Sequence, residues 1–167
     1  MTLRIILDTN IYGEIIEEGV QEKLRERIIV LKHDLTIYGL KIIRKELRET
    51  SPDHVKRGHS LRLALLELYD AFVQNHELTI KPLAKSLADL YFKEYKRNKG
   101  VESRSKKMND FIIVAQATIS RLDIVVSEDN KTMLSNKSRN AYDKVNKDHN
   151  LITPNFIGYN EFKNKLF

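Results

Sequence analysis

Four acidic residues occupy places where a chain rarely puts a charge. Asp8 follows the apolar run Leu3–Leu7 without a break, in the segment LRIILDTNIY. Glu46 lies in GLKIIRKELRET, four residues after Ile42 and three after Ile43, so a helix sets it on their apolar face beside Leu47. Asp110 follows Asn109 and heads FIIVAQATI, a run that is apolar on nearly every face. Asp129 ends LDIVVSED, where Ser127, Glu128, Asp129 and Asn130 repeat the opening device of an apolar strand followed by hydroxyl, carboxylate and amide. Carboxylates gathered in one cleft repel and raise one another's pKa values unless cations neutralise them. Hard divalent cations with oxygen ligands, Mg2+ or Mn2+, do so and suit phosphate chemistry. Thr9, Asn10 and Ser127 then orient ligands or water around Asp8, Glu46, Asp110 and Asp129.

Each acid also has an ordinary reading. Asp8 or Asn10 caps the helix that starts near Ile11, and Asp110 caps the helix it precedes. Glu46 is a border residue paired with a nearby base, and Glu49 lies at the margin of the same stripe. Asp129 belongs to a turn, and Glu128 competes with it for any role in chemistry.

The elements that must position these residues alternate between strand and helix. Strands are expected at Leu3–Leu7, 35–38, 78–80, Ile124–Val126 and 151–153. Helices are expected at 11–18, 21–31, 40–50, Leu61–Val73, Pro82–Arg97, 110–120 and Tyr159–Leu166, with another beginning at 131–134. Residues 54–60 form a polar basic link, 98–108 a charged loop, and 135–150 a polar irregular stretch. The pattern predicts an α/β fold with a central, mainly parallel sheet of four to five strands flanked by helices on both faces, in a single domain over residues 1–167. Such sheets bind ligands beyond the carboxyl ends of their strands, where strand order reverses. Asp8 and Asp129 sit at strand ends of that kind.

Composition narrows the class. The 167 residues are 41% hydrophobic and 31% charged, which is globular rather than disordered. The absence of Cys excludes disulfides, thiol nucleophiles and thiolate metal sites. No apolar run spans a bilayer and no signal peptide precedes the first strand, so the expectation is a soluble cytoplasmic protein. A net charge of +6 and a pI near 9.4 favour a polyanionic partner. Lys93, Lys96, Arg97, Lys99, Arg104, Lys106 and Lys107 precede Asp110, and His54, Lys56, Arg57 and His59 lie in the earlier link. Of these, Lys99, Arg104, Lys106 and Lys107 are the expected contacts to an RNA backbone beside Asp110, against the alternative of a solvated charged face. Tyr91 and Tyr95, at helical spacing, are expected to pack rather than to stack on bases.

The order Asp8, Glu46, Asp110, Asp129 resembles the PIN-domain ribonuclease family. The likeness runs from the first strand to about Met133 and is carried by LDTNI and by NDFIIVAQA…LDIVVSEDNKTM. It sets Asp8, Glu46, Asp110 and Asp129 on that family's acidic metal site, Ser127 on its hydroxyl position and Asn10 on a polar position after the first Asp. It implies an endoribonuclease dependent on Mg2+ or Mn2+. Many small members resembling this chain are toxins of toxin–antitoxin pairs, often dimeric and inhibited by a small antitoxin, so an antitoxin and a homodimer are the protein partners it implies. Others process RNA without such a partner. The departures are the basic link around 53–60 and the polar stretch 135–150.

Two other classes compete. One is a catalytically inactive PIN-like domain that binds RNA or acts as a scaffold. The other is a haloacid-dehalogenase-like phosphatase, which needs a second Asp two residues after the first; that position is Asn10 here.

Overall fold

Strand β1, Leu3–Leu7, buries Ile5, Ile6 and Leu7 completely, which marks it as an interior strand covered on both faces. The computed structural model describes residues 2–56 and 58–167. Arg57, with the side chains of Lys56 and His59, lies outside the described residues.

From β1 the chain passes through α1 (Thr9–Glu18) and α2 (Gln21–Val30) to β2 (Leu35–Leu40). Helix α3 (Lys41–Arg48), a short antiparallel pair β3 (Val55–Lys56) and β4 (His59–Ser60), and α4 (Leu61–Val73) lead to β5 (Glu77–Leu78). Helices α5 (Pro82–Arg97) and α6 (Arg104–Ile119) return the chain to β6 (Ile124–Val126). Helix α7 (Asn136–Asp148), β7 (Asn155–Ile157) and α8 (Tyr159–Leu166) complete it. The sheet order is β5-β2-β1-β6-β7, and every neighbouring pair is parallel.

Parallel neighbours require crossovers, and right-handed crossovers fix which face each helix covers. The chain moves outward from β1 to β5, then crosses back and moves outward again to β7. The two sets of helices therefore fall on opposite faces. Packing agrees: α4 contacts α1, α2 and α3, whereas α5 packs on α6 and α7. The reversal lies between β1 and β6, where Ile5, Ile6 and Leu7 pair with Ile124, Val125 and Val126. Their carboxyl ends deliver Asp8 and Ser127 side by side.

The expected α/β architecture holds, with five strands and all of them parallel. Local expectations change: the strand expected at 78–80 falls at Glu77–Leu78, the link at 54–60 carries the β3–β4 pair, and four larger differences follow. Helix α6 starts at Arg104 rather than Asp110, because Lys106 and Lys107 continue its helical rows instead of forming a loop. Residues 135–150 are largely helix α7: Ser138, Ala141, Tyr142, Val145 and Asn146 form its buried stripe, and the polar members of that stripe hid the period. Residues 131–134 form turns that precede α7. The last strand falls at Asn155–Ile157, beyond Pro154, rather than at 151–153. Tyr91 and Tyr95 pack as expected; Tyr91 meets Tyr142 edge-on at 5.0 Å and donates its hydroxyl to Asn146 Oδ1 at 2.7 Å.

Candidate active site at the sheet reversal

Asp8 is both a cap and the centre of a polar cluster. It leaves β1 in an extended conformation, with φ −68° and ψ 159°, and its Oδ1 accepts the Thr9 amide at 2.8 Å. Its Oδ2 accepts the Ser127 hydroxyl at 2.7 Å and the Asn10 side-chain Nδ2 at 2.9 Å. The residue is only 6% exposed. Burial pushes its carboxyl up to about 6; hydrogen bonds from Ser127 and Thr9 oppose the rise, and the charges of Glu46 and Asp129 add to it.

Glu46 reaches the same cluster from α3. Thr9 Oγ1 donates to its Oε2 at 2.5 Å and Asn109 Nδ2 to its Oε1 at 2.9 Å. Asp110 projects from the second turn of α6, and its Oδ2 is buried with no hydrogen-bond partner among the described residues. Burial, with the charges of Asp8 and Asp129 adding to it and Thr132 and Lys107 opposing it, pushes its carboxyl up to about 7. Asp129 behaves differently. Burial raises it, but its bonds from the Thr132 side chain and from the Thr132, Met133 and Lys131 amides outweigh burial and hold the carboxyl below its ordinary value. The Thr132 and Lys131 amides lie 2.8 and 3.1 Å from Oδ1, and Thr132 Oγ1 donates to Oδ2. The turn reading of Asp129 is therefore correct, and the carboxylate still lies within electrostatic reach of Asp8 and Asp110.

Thr9, Asn10 and Ser127 all stand beside the acids. Ser127, 1% exposed, links two of them by donating to Asp8 and accepting the Asp129 amide at 3.0 Å. Asn10 Nδ2 is bound to Asp8 and its Oδ1 accepts the Glu128 amide at 3.3 Å. Asn10 carries no carboxyl, so the acid/base that a dehalogenase-like phosphatase needs is missing. Glu49 is exposed and pairs with Lys45 at 3.8 Å. Glu128 turns to the start of α8, where its Oε1 accepts the Tyr159 amide at 2.5 Å. Neither joins the cluster.

The expected basic contacts separate. Lys107 is corrected: it has no solvent exposure, and its ammonium donates to the Thr132 carbonyl and to Ser138 Oγ, so it cannot meet an RNA backbone. Lys99 is exposed, with a positive φ of 59°. Arg104 pairs with Asp89, and Lys106 with Glu102 at 3.3 Å; both cations stay largely exposed near the start of α6. Sequence pattern alone assigns no role to Thr132 or to Asn109. Thr132 had a signal, the spacing DNKT, in which a carboxylate takes donors two and three residues on.

The donor set is all oxygen, which matches Mg2+ or Mn2+. Among the described residues no group of three or more His, Cys, Asp or Glu is close enough to hold a metal ion. Mg2+ is commonly bound through one or two carboxylates, with waters and substrate phosphates completing the shell. Asp8 and Asp110 fit that smaller requirement. Asp8 is buried and Asp110 half-buried, both are pushed toward protonation, and the buried Asp110 Oδ2 lacks a partner that a cation would supply.

No family model and no curated protein matches the sequence. Solved structures do. A chain of VapBC2 from Rickettsia felis, solved bound to a DNA fragment from their promoter, superimposes with a TM-score of 0.60 at 13% identity, over 93% of this chain and 98% of that one. A chain of DNA-bound VapBC from Salmonella typhimurium gives a TM-score of 0.59 at 17% identity, over 95% and 99%. Near-complete overlap in both directions, together with the parallel sheet and its element order, shows that this chain has a PIN-like fold.

Proposed function

We propose that the chain is a metal-dependent endoribonuclease that uses Mg2+ or Mn2+ and acts as the toxin of a toxin–antitoxin pair. The observation that carries this reading is the placing of the buried Asp8 and the half-buried Asp110 within electrostatic reach of each other, with Asp110 Oδ2 buried and unpartnered among the described residues. Asp8 and Asp110 would hold the cation directly, with Glu46 and Asp129 acting on it from nearby. When bound, the cation supplies an activated water and a positive charge for the phosphate. The chain's own residues do the rest. Ser127 and Asn10 hold Asp8 Oδ2 from two directions and so fix the plane of its carboxylate. Thr9 and Asn109 hold Glu46 by both oxygens. Lys99, Arg104 and Lys106 would bind the RNA backbone at the mouth formed by the start of α6.

A protein partner has support of its own. The two similar structures are of VapBC bound to DNA, and an antitoxin is the partner proposed here. A homodimer of the chain is proposed with it.

A catalytically inactive PIN-like RNA-binding or scaffolding domain is the competing reading. It is favoured by the Asp129 carboxylate, which is taken up by its own turn, and by the lack of a three-acid metal group among the described residues. Mn2+ titration followed by calorimetry, with cleavage of a labelled single-stranded RNA measured in parallel, separates the two. Saturable Mn2+ binding and metal-dependent cleavage, both lost in Asp110→Asn, support the nuclease. RNA binding without either supports the inactive domain.

A further inference from the structure

Among the described residues Lys107 is the one fully buried cation in the core, and the proposed chemistry makes no use of it. Its Nζ lies 2.5 Å from the Thr132 carbonyl and 2.7 Å from Ser138 Oγ. The rings of Tyr95 and Phe111 flank it, each centroid 5.0 Å away. Ser138 Oγ also donates to the Thr132 carbonyl at 2.7 Å, so one backbone oxygen takes two buried donors.

Burial of the ammonium is costly; the charges of Asp110, Asp129 and Glu102 favour it from nearby, but its direct contacts are neutral oxygens and aromatic rings, and an apolar side chain would fill such a space with less desolvation. The cation also holds a turn. Thr132 is gripped from the other side by Asp129: its amide donates to Oδ1 at 2.8 Å and its hydroxyl to Oδ2. The Leu134 amide closes the same turn on the Asp129 carbonyl at 2.8 Å. A chain of contacts therefore runs from Lys107 through the Thr132 backbone to the Asp129 carboxylate. Lys107 stands one helical turn before Asp110 on α6, so one helix presents Asp110 itself and steadies the turn that presents Asp129.

We propose that Lys107 is a positioning residue: its buried ammonium, acting through the Thr132 carbonyl, fixes the 129–134 turn and with it the direction of the Asp129 carboxylate at the acidic site. The assignment rests on the nuclease reading for its purpose, but its geometry is testable without it.

The test uses Lys107→Met, which keeps length and apolar bulk, and Ser138→Ala, which removes the second donor while keeping the cation. The first measurement needs no metal. In Lys107→Met the Thr132 and Leu134 amides should exchange with solvent at least ten times faster, while Ile5 and Ile6 in β1 stay protected. The second is Mn2+ affinity, expected to fall about tenfold or more, as when a partner of a metal ligand is lost. With RNA as substrate, kcat should fall while KM stays within twofold. Adding Thr132→Val to Lys107→Met should cost little further Mn2+ affinity, because both act along one chain of contacts. Unchanged exchange at Thr132 and Leu134 in folded Lys107→Met would overturn the assignment. If that variant does not fold, unchanged exchange in Ser138→Ala does the same. Faster exchange in the turn of a protein that neither binds Mn2+ nor cuts RNA would remove the nuclease reading and leave the anchoring role of Lys107 in place.

Discussion

The Ser127 hydroxyl donates to Asp8 Oδ2 across 2.7 Å, joining the carboxyl ends of the two strands between which the sheet reverses. Ser127 Oγ also accepts the Asp129 amide, so a single hydroxyl sets the spacing of two acids. We predict that Ser127→Ala costs about 1–3 kcal/mol of stability, because a buried carboxylate oxygen and a backbone amide each lose a partner. Loss of that bond also removes an influence that lowers the Asp8 pKa. The acid limb of any metal-dependent cleavage should therefore move to higher pH. Urea unfolding and a pH–rate profile check the two parts, and a limb that stays in place would separate Ser127 from the ionisation of Asp8.

Burial gives Asp8 and Asp110 folded-state pKa values of about 6 and about 7, against 3.8 for a free side chain. Between about pH 4 and pH 7 the metal-free folded state therefore binds more protons than the unfolded chain, and stability falls as pH rises through that window. Asp8→Asn removes one of these groups. At pH 8 in EDTA it is expected to be about 1–2 kcal/mol more stable than the parent protein, because a tenfold change in acidity between the folded and unfolded states is worth about 1.4 kcal/mol and some hydrogen bonding is lost with the carboxylate. The difference should shrink toward pH 4, and cleavage should vanish. Thermal unfolding across that range decides it, and a gap between the two proteins that does not change with pH would contradict burial as the origin of the raised pKa.

Metal should act in the opposite sense. A cation that binds only the folded state stabilises by about 2.7 kcal/mol at a hundred times its dissociation constant. Mg2+ or Mn2+ is expected to raise the melting temperature of the parent protein at pH 8 and leave Asp110→Asn unmoved. An equal rise in both would place the binding elsewhere.

Exposed and buried lysines should differ in how they answer to salt. Each phosphate contact on a single strand contributes about 0.7 to the slope of log affinity against log salt. In an Asp8→Asn background, replacing Lys99 and Lys106 with Ala should flatten that slope by roughly one to one and a half. Lys107→Met should leave the slope unchanged, because no phosphate reaches its ammonium. Fluorescence anisotropy on one oligoribonucleotide at several salt concentrations distinguishes them.

A last prediction concerns the scaffold. A Cβ added at Gly39, in β2, would lie 2.2 Å from Tyr69 Oη and 2.8 Å from Val73 Cγ1. Tyr69 cannot move freely, since its hydroxyl proton is shared between Glu77 Oε2 at 2.9 Å and the Leu40 carbonyl at 3.1 Å. Gly39→Ala should destabilise by about 1–3 kcal/mol through overpacking. Gly13→Ala, in α1 with open space at its Cβ, should be neutral or stabilising by up to about 1 kcal/mol. Equal denaturation midpoints for the two would refute the packing argument.

Where apolar period and punctuation coincide, the fold was legible in the chain: Leu3–Leu7, Leu61–Val73, Pro82–Arg97, Ile124–Val126 and Tyr159–Leu166 have the expected bounds. Helix α7 was not, because Ser138 and Asn146 are polar residues buried by tertiary partners, and a linear reading of hydrophobicity counts them as surface. Lys107 misled for the same reason. A lysine in a basic run reads as solvated, and only the Thr132 carbonyl, 25 residues away, reveals otherwise. Strand ends pointed to Asp8 and Asp129, an apolar helix face to Glu46, and an expected helix start to Asp110, which instead lies in the second turn of α6. The side chains that aim them, Asn109 and Thr132, act through contacts that a sequence pattern does not register.

The central place of β1 also bears on how the molecule is made. Asp8 is synthesised before Ser127, its partner in the cluster, which lies 119 residues later. At translation rates of about 5–20 residues per second, roughly 6–24 s pass between them. During that interval β1 lacks its β6 neighbour, and Asp8 has neither Asp110 nor Asp129 beside it. A growing chain therefore carries no complete acidic cluster. If the chain cuts RNA as proposed, the order in which the sheet can assemble would withhold that activity from the message until Ser127 and Asp129 have been made.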